Sequence, residues 1–251
     1  MACHFVRWNS TPDALDTSRL SAALIADADA YAEKRRQRFL QGRILLAETL
    51  HHLYGLPTLP PIATTPTGRP CFSDPHLPDF SLAYAGNTVG VLLSNEGKVG
   101  LDIEMLRARS DSQRQLQRQF RNAPESAWID AQDDLLEAET QLWSIRQSVL
   151  KISGLGNSGH GTLTLHPFSG QLRSSVTPQV QVMSDSDDYQ SWSCAREPAL
   201  ERLQCWQFDP QYGLEKCEEI SAQSPANSLR FIKLTSLSNY HKNSRLKEKT
   251  G

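Results

Sequence analysis

Apolar and polar residues alternate with a period of two between positions 98 and 104. The apolar positions are Val99, Leu101 and Ile103, and the small or acidic positions between them are Gly100, Asp102 and Glu104. This pattern predicts a β-strand whose apolar side chains share one face and whose two carboxylates share the other. Two carboxylates in this arrangement can bind one hard cation such as Mg²⁺. Taken alone, the segment is more typical of a strand end with a solvated acidic face than of a metal site.

A second apolar pattern has helical spacing and covers residues 142–152. Its stripe consists of Leu142, Ile145, Val149 and Ile152. A neighbouring face carries three residues at i, i+4 and i+8, namely Trp143, Gln147 and Lys151. We therefore expect a helix that packs against a sheet and directs polar side chains toward the strand ends.

Further elements follow from the same patterns. Residues 5–8 predict a short strand, residues 33–53 a long helix, and residues 80–93 a hairpin that turns at Gly86-Asn87. Four prolines make residues 56–66 an extended connector.

Composition narrows the classes of protein to consider. The chain has 251 residues and a net charge of −2, which suits one large domain or two small ones and does not indicate binding to nucleic acid or to an anionic membrane. No long apolar run or signal-peptide pattern is present. Its five cysteines are widely spread, which indicates free thiols and argues against a zinc site. We expect a cytoplasmic protein with no nucleic-acid or membrane partner.

Two segments together resemble the signature of the Sfp-type 4′-phosphopantetheinyl transferases. They are Gly-Leu-Asp-Ile-Glu at 100–104 and Trp-Ser-Ile-Arg-Gln-Ser-Val-Leu-Lys at 143–151. The family pattern is (Val/Ile)-Gly-(Ile/Val/Leu)-Asp-x-Glu, then Trp-x-x-Lys-Glu-(Ala/Ser)-x-x-Lys about forty residues later. The matching order and separation make the pair more specific than either segment alone.

The resemblance implies an α+β fold with two similar halves related by a pseudo-twofold axis. Each half would be a small antiparallel sheet packed against a long helix, with the active site between the halves. Residues 1–105 would form the N-terminal half with the coenzyme A-binding elements. Residues 106–220 would form the C-terminal half with the metal-binding and catalytic helix and the carrier-protein docking surface. Residues 221–251 are polar and are expected to be a mobile tail.

The resemblance also implies a metal site made of Asp102, Glu104 and Gln147, with Mg²⁺ or Mn²⁺ as the cation. Lys151 would be the catalytic residue, since it would pair with a phosphate oxygen and stabilise the leaving group. Gln147 stands where the family has a glutamate that binds metal and is a proposed base, and Arg146 stands where it has a lysine. A glutamine carbonyl can bind Mg²⁺, but it carries no charge and cannot accept a proton.

Three residues are implied to bind coenzyme A. Arg38 begins an Arg-x-x-x-Gly segment, and Arg69 lies in a Gly-Arg-Pro segment that resembles the family's Gly-Lys-Pro. Tyr84 occupies the position of a phosphate-binding histidine, and tyrosine brings no positive charge there. The neighbouring Arg35 and Arg36 are interpreted as part of a solvated basic face.

The segment after Glu104 corresponds to the family's carrier-protein docking surface. Its candidate contacts are Arg114, Leu116, Arg118 and Phe120. Arginines would steer an acidic carrier helix and apolar side chains would hold it. An ordinary surface helix explains the same residues. We expect a monomer.

Alternative functions stay open at this point. The first is transfer of 4′-phosphopantetheine from coenzyme A to a serine of an acyl or peptidyl carrier protein, in fatty acid, polyketide or nonribosomal peptide biosynthesis. The second is a diverged, catalytically weak or inactive relative that binds coenzyme A or a carrier protein. An unrelated α+β binding protein is a more distant third. Fold alone does not separate the first two, because function depends on the site.

Overall fold

The computed structural model describes residues 2–10, 15–199, 201–221, 228 and 230–236. Two β-sheets and two long helices form the main layers of this part of the chain. Within it, no helix is both long enough and apolar enough to cross a membrane.

The first sheet has five strands. In spatial order they are β12 (Gly213–Ser221), β11 (Arg202–Asp209), β1 (Ala2–Asn9), β5 (Thr88–Ser94) and β4 (Asp79–Ala85). Strands β1 and β11 run parallel, and the other neighbours are antiparallel. Helix α2 (Glu33–Tyr54) buries its apolar stripe against one face of this sheet.

The second sheet has six strands. In spatial order they are β6 (Lys98–Met105), β10 (Gln190–Glu197), β9 (Gln181–Ser186), β13 (Ile232–Ser236), β8 (Gln171–Ser174) and β7 (Leu163–His166). Strands β13 and β8 run parallel, and the other neighbours are antiparallel. Helix α5 (Leu135–Ser153) packs on its outer face.

The inner faces of the two sheets pack against each other. Phe5, Leu92 and Ala83 of the first sheet share a buried cluster with Leu101 and Ile103 of the second. The order of layers is therefore helix α2, first sheet, second sheet, helix α5. Apolar burial on both faces of each sheet is the main stabilising contribution.

Shorter elements connect these layers. They are α1 (Ala22–Asp29), the small hairpin β2 (Ile62–Thr64) and β3 (Pro70–Phe72), α3 (Asp111–Phe120), α4 (Ala123–Asp130), and 3-10 helices at Gly156–Thr162 and Pro167–Ser169.

The structure confirms the mixed helix-and-sheet class and the main elements predicted from the sequence. The residue 98–104 strand, the residue 33–53 helix and the residue 80–93 hairpin are present as β6, α2 and β4–β5. Purely antiparallel sheets were a wrong expectation, because each of the two large sheets contains one parallel pair. The similarity of two halves stays a prediction.

The strand pairing does not follow the predicted halves. Strand β6 lies before residue 106 but joins the second sheet, whereas β11 and β12 join the first sheet from the far side of that boundary. The division into two halves at residue 105 therefore stays a prediction, and each large sheet contains strands from both sides of that boundary.

The prediction of a mobile tail from residue 221 is wrong for Ile232–Ser236, which forms β13 between β9 and β8. Leu234 is fully buried there. The polar composition of the whole segment hid this short alternation of apolar residues. Ser221, the first residue of the predicted tail, is the last residue of β12. The rest of the predicted tail, apart from residues 228, 230 and 231, lies outside the described residues.

Candidate active site

The site is organised by the close crossing of α5 over β6. A Cβ atom at Gly100 would overlap the carbonyl oxygen of Ser148. Glycine at this position therefore lets the helix backbone lie directly on the strand. Because Gly100, Asp102 and Glu104 share one strand face, this contact brings both predicted metal carboxylates beside α5. The crossing also places Lys151 next to Asp102.

Asp102, which is buried, forms an ion pair with the partly exposed Lys151. The Lys151 ammonium lies 2.9 Å from Asp102 Oδ1 and donates to the Leu101 carbonyl oxygen at 2.7 Å. The second oxygen, Asp102 Oδ2, is buried and has no hydrogen-bond partner among the described atoms. Burial raises the pKa of Asp102, and the Lys151 charge and hydrogen bond oppose that effect. One carboxylate oxygen is thus paired and the other is left for a further ligand.

Glu104 follows on the same strand face and has its own cation. Arg109 Nη2 lies 3.4 Å from Glu104 Oε2. Burial, together with the neighbouring charge of Asp102, raises the pKa of Glu104. Both predicted metal carboxylates are therefore paired with an internal cation in this structure.

Gln147 lies one helical turn before Lys151 on α5. Its Nε2 atom is buried and has no hydrogen-bond partner among the described atoms. An amide that is not held by hydrogen bonds can turn either its oxygen or its nitrogen to a neighbour. Its oxygen can therefore serve as a neutral ligand.

By their donor chemistry, the three predicted ligands suit a hard cation, as a weaker set than three carboxylates, and their convergence on one ion stays a prediction. The set consists of the unpartnered Asp102 Oδ2, the Glu104 carboxylate and the Gln147 amide. Oxygen donors of this kind suit Mg²⁺ or Mn²⁺. Within the described part of the chain, no three His, Cys, Asp or Glu side chains converge to form an alternative site.

A cavity of about 500 Å³ opens beside Lys151 and Gln147. It is lined by residues of α2, the loop before β3, β4 and α5. It brings together five of the seven predicted site residues, namely Arg38, Arg69, Tyr84, Gln147 and Lys151. Asp102 and Glu104 do not line it, and Lys151 connects Asp102 to its wall. Cationic side chains around an apolar floor are suited to a ligand that carries both phosphates and a flat ring.

Arg69 is held by the protein rather than left available to a ligand. It binds Asp79 with both terminal nitrogens, one at 2.7 Å, and donates to the carbonyl oxygens of Phe80, Val99 and Lys151. Its side chain is 9% exposed. This arrangement connects β4, β6 and α5, and gives Arg69 a structural role at the cavity wall. Its proposed contact with coenzyme A stays a prediction.

Tyr84 packs against Gly42 of α2. A Cβ atom at Gly42 would overlap the Tyr84 hydroxyl oxygen. The Gly in the Arg-x-x-x-Gly segment therefore provides the space for the tyrosine ring. Burial raises the pKa of Tyr84, with Arg43 and Arg38 opposing it, so the hydroxyl is a neutral hydrogen-bond donor at the cavity wall.

The sequence analysis did not single out Arg43 as a site residue. Arg43 and Arg35 line the cavity with Arg38, and Arg35 is exposed, in agreement with its predicted place on a solvated face. Arg43 lies 4.7 Å over the Phe39 ring, and its buried Nε has no hydrogen-bond partner among the described atoms. The spacing of residues 35, 39 and 43 at i, i+4 and i+8 on α2 is the signal that would have identified this face.

Arg146, which stands at the position of the family's lysine, does not reach the cavity. It forms an ion pair with Glu125 at 2.6 Å, and both side chains are only 3% exposed. It also donates to the Leu163 carbonyl oxygen at 3.0 Å. Arg146 therefore joins α4 and β7 to α5 instead of contacting a ligand in the large cavity.

The predicted docking segment forms α3. Arg114, Leu116 and Arg118 are exposed on this helix, whereas Phe120 is half-buried. The Phe120 ring stacks on His160 with 3.9 Å between the ring centroids. Burial, with the charge of Arg146 nearby, lowers the pKa of His160 to about 4. The ring that packs against the end of α3 is therefore neutral near pH 7. Three of the four predicted contacts are thus open to a partner, and the fourth anchors the helix.

Comparison with known proteins gives a consistent result. A family model described as the 4′-phosphopantetheinyl transferase superfamily matches residues 98–205, which include β6 and α5. The uncharacterized protein YieE of Escherichia coli strain K12 is 38% identical over 241 residues, 95% of this chain and 97% of that protein. The 4′-phosphopantetheinyl transferase AcpT of Salmonella typhimurium strain LT2 is 34% identical over 142 residues, 56% of this chain and 69% of that protein. A putative 4′-phosphopantetheinyl transferase of Synechocystis sp. strain PCC 6803, slr0495, is 29% identical over 191 residues, 72% of this chain and 73% of that protein.

Proposed function

The chain belongs to the 4′-phosphopantetheinyl transferase superfamily. We propose that it transfers 4′-phosphopantetheine from coenzyme A to a serine of an acyl or peptidyl carrier protein, with Mg²⁺ as cofactor. The observation that supports this most is the position of Lys151. It lines the large cavity with the α2 arginines and also touches Asp102. One side chain thus connects a phosphate-binding cavity to the predicted metal carboxylate.

The α2 arginines would hold the charged part of coenzyme A. Arg38 and Arg43 line the cavity, and neither has a carboxylate partner among the described residues. Guanidinium groups bind phosphate in a bidentate manner. The apolar floor formed by Phe39, Phe80 and Leu150 provides a surface for the adenine ring.

In the reaction, the serine Oγ attacks the β-phosphorus of the pyrophosphate. A P–O bond to serine forms as the bond to 3′,5′-ADP breaks, and negative charge develops on the leaving phosphate. Lys151 would donate to that oxygen and stabilise it. Asp102, Glu104 and Gln147 would hold the cation, which neutralises charge on the pyrophosphate when bound.

The serine proton has no obvious acceptor at residue 147. Glutamine cannot take it, so we expect water or hydroxide to remove it. A weaker ligand set also means that this protein should need more Mg²⁺ than relatives with a glutamate there, or prefer Mn²⁺.

The second candidate function is binding of coenzyme A or a carrier protein without turnover. Gln147 and Tyr84 favour it, because each replaces a charged or basic group of the family pattern with a neutral one. The same cavity would then serve only for binding.

Incubation with coenzyme A, Mg²⁺ and several apo-carrier proteins, followed by intact-mass measurement, separates these functions. With the parent chain, the mass of a carrier protein should increase by one phosphopantetheine group. With Gln147→Glu, the same increase should occur faster and at a lower Mg²⁺ concentration. A carrier protein whose acceptor serine is replaced by alanine is the control. No mass shift with either chain, across all the carriers, would rule out the enzymatic function.

A further inference from the structure

Glu104 lines a second, smaller cavity, which shares no lining residue with the large one. It has a volume of about 180 Å³, and its lining includes Glu104, Arg107, Arg109, Leu116 and Trp143. It therefore joins one predicted metal carboxylate to Leu116, an exposed residue of α3. A partner that contacts α3 would reach the entrance of this cavity.

Each of the two predicted metal carboxylates has one cationic partner. Lys151 lies 2.9 Å from Asp102, and Arg109 lies 3.4 Å from Glu104. With Gln147 neutral, the two carboxylates of the predicted metal site have two internal cations. A divalent cation must compete with both to gain the full attraction of the site.

The two cations differ in the surface to which each belongs. Lys151 lines the large cavity on the α2 side. Arg109 lines the small cavity, one residue before Ser110, which caps α3. Arg109 is also well enclosed, with a side chain 12% exposed, whereas Glu104 is 32% exposed. A ligand bound at α3 can therefore contact Arg109, and a ligand bound in the large cavity can contact Lys151.

The charge on the α3 side indicates the chemistry of the partner. Arg107, Arg114 and Arg118 are exposed around this surface, and Arg114 pairs with the exposed Asp111. The arginines outnumber this carboxylate, so the complement of the surface is an acidic protein surface. A carboxylate brought to this place would compete with Glu104 for the Arg109 guanidinium.

We infer that Arg109 is a removable counterion of Glu104, which keeps this carboxylate from the metal until an acidic carrier protein docks on α3 and takes over the guanidinium. The inference rests on the proposed function. It makes metal binding and carrier binding cooperative, because each removes a competitor of the other. Arg109 is a positioning residue in this scheme and does not touch the reacting atoms.

The test measures Mn²⁺ binding from the electron paramagnetic resonance signal of the free ion, with 3′,5′-ADP present and no carrier protein. Arg109→Gln should bind Mn²⁺ about fivefold more tightly than the parent chain, because a competing partly exposed ion pair is removed. Arg109→Lys, which keeps the charge, should stay close to the parent. Arg107→Gln is the matched control, since it removes the same charge from the same cavity without breaking an ion pair to Glu104, and should have a smaller effect.

A second measurement uses the parent chain and does not depend on a variant. An apo-carrier protein that the mass assay has identified as an acceptor should raise Mn²⁺ affinity in the parent chain. It should raise it less in Arg109→Gln, where the competing guanidinium is already absent.

The results distinguish the inference from the function on which it rests. Equal Mn²⁺ affinity in the parent chain and Arg109→Gln, an equal gain in Arg107→Gln, or no effect of the carrier would overturn the inference while leaving transfer activity intact. Absence of Mn²⁺ binding in every chain, with no mass shift on any carrier, would overturn both.

Discussion

Two regions of the candidate active site differ in how their charged side chains are paired. Along α2, the cavity-lining Arg35, Arg38 and Arg43 have no carboxylate partner among the described residues. At the crossing of β6 and α5, Asp102 is paired with Lys151 and Glu104 with Arg109. The first region has cations that need an anion, and the second has carboxylates whose charge is already balanced.

The difference indicates how each region would bind its ligand. An unpaired guanidinium near apolar side chains gains most from an incoming phosphate, because no internal partner must be displaced. A paired carboxylate gains less from a cation, because its own lysine or arginine must first be released. The α2 region would therefore provide affinity for the substrate. In the β6–α5 region, the affinity for a cation would depend on whether another ligand has already displaced Lys151 or Arg109.

The largest effect is expected at the paired region. Asp102→Asn keeps the size of the side chain, removes its charge and should lower transfer activity by about 10²–10³-fold, comparable to the loss of one preorganised electrostatic group. Coenzyme A affinity should change little, because Lys151 remains and is released toward the cavity. Steady-state transfer rates and calorimetry measure the two quantities.

The control is Asp29→Asn, since Asp29 is a surface carboxylate paired with Arg36. Transfer by Asp102→Asn at the parent rate would mean that β6 has no catalytic role and that the metal assignment is wrong.

A second effect concerns Arg69, which the sequence assigned to the substrate-binding region. Its hydrogen bonds to Asp79 and three carbonyl oxygens predict that Arg69→Leu lowers the free energy of unfolding by about 3 kcal/mol, as for removal of one partner of a buried ion pair. Arg36→Leu should cost at most about 1 kcal/mol, because its pair with Asp29 is exposed. Urea unfolding measures both. An unchanged unfolding energy with a large loss of coenzyme A affinity would restore the sequence-based role of Arg69.

The contrast between the two regions also explains what could be predicted from the sequence. Gly100, Asp102 and Glu104 were predicted on one strand face because alternation is a local property of the chain, and β6 has that arrangement. The unpaired Arg43 lay within a run of basic residues, where only packing against β4 distinguishes an enclosed side chain from a solvated one. The bonds of Arg69 to Asp79 and Val99 join distant segments, and no local pattern reports such contacts.

Long-range pairing limited the fold prediction in the same way. Helix α2 and the β4–β5 hairpin follow from periodicity and turn residues. The parallel pairing of β1 with β11 brings together residues about two hundred positions apart along the chain, so that sequence alone gave no signal for it. The short strand β13 was hidden within a polar segment for the same reason, because its neighbours β8 and β9 supply the buried environment of Leu234.

A more moderate effect is expected in the unpaired region. Arg43→Gln and Arg38→Gln should each raise the dissociation constant of coenzyme A about tenfold, the value of one charge-assisted hydrogen bond. Arg36→Gln is the matched control on the same helix, because Arg36 pairs with Asp29 and does not line the cavity. If calorimetry shows equal increases in the dissociation constant for all three variants, the region binds coenzyme A only as a general basic surface.

The smallest effect is a pH dependence confined to the paired region. Burial and the neighbouring Asp102 raise the pKa of Glu104 above its ordinary value of 4.5, so this carboxyl group keeps its proton to a higher pH than a solvated one. A proton on Glu104 competes with the cation, and metal affinity should therefore fall as the pH falls through the raised pKa. Mn²⁺ affinity of the 3′,5′-ADP complex should decrease on acidification in the parent chain more steeply than in Glu104→Gln, by less than about tenfold per pH unit. Titration of the nucleotide phosphate is common to both chains and cancels in the comparison. Equal slopes would show that Glu104 is already ionised throughout the range, and the electrostatic difference between the two regions would then rest on Asp102 alone.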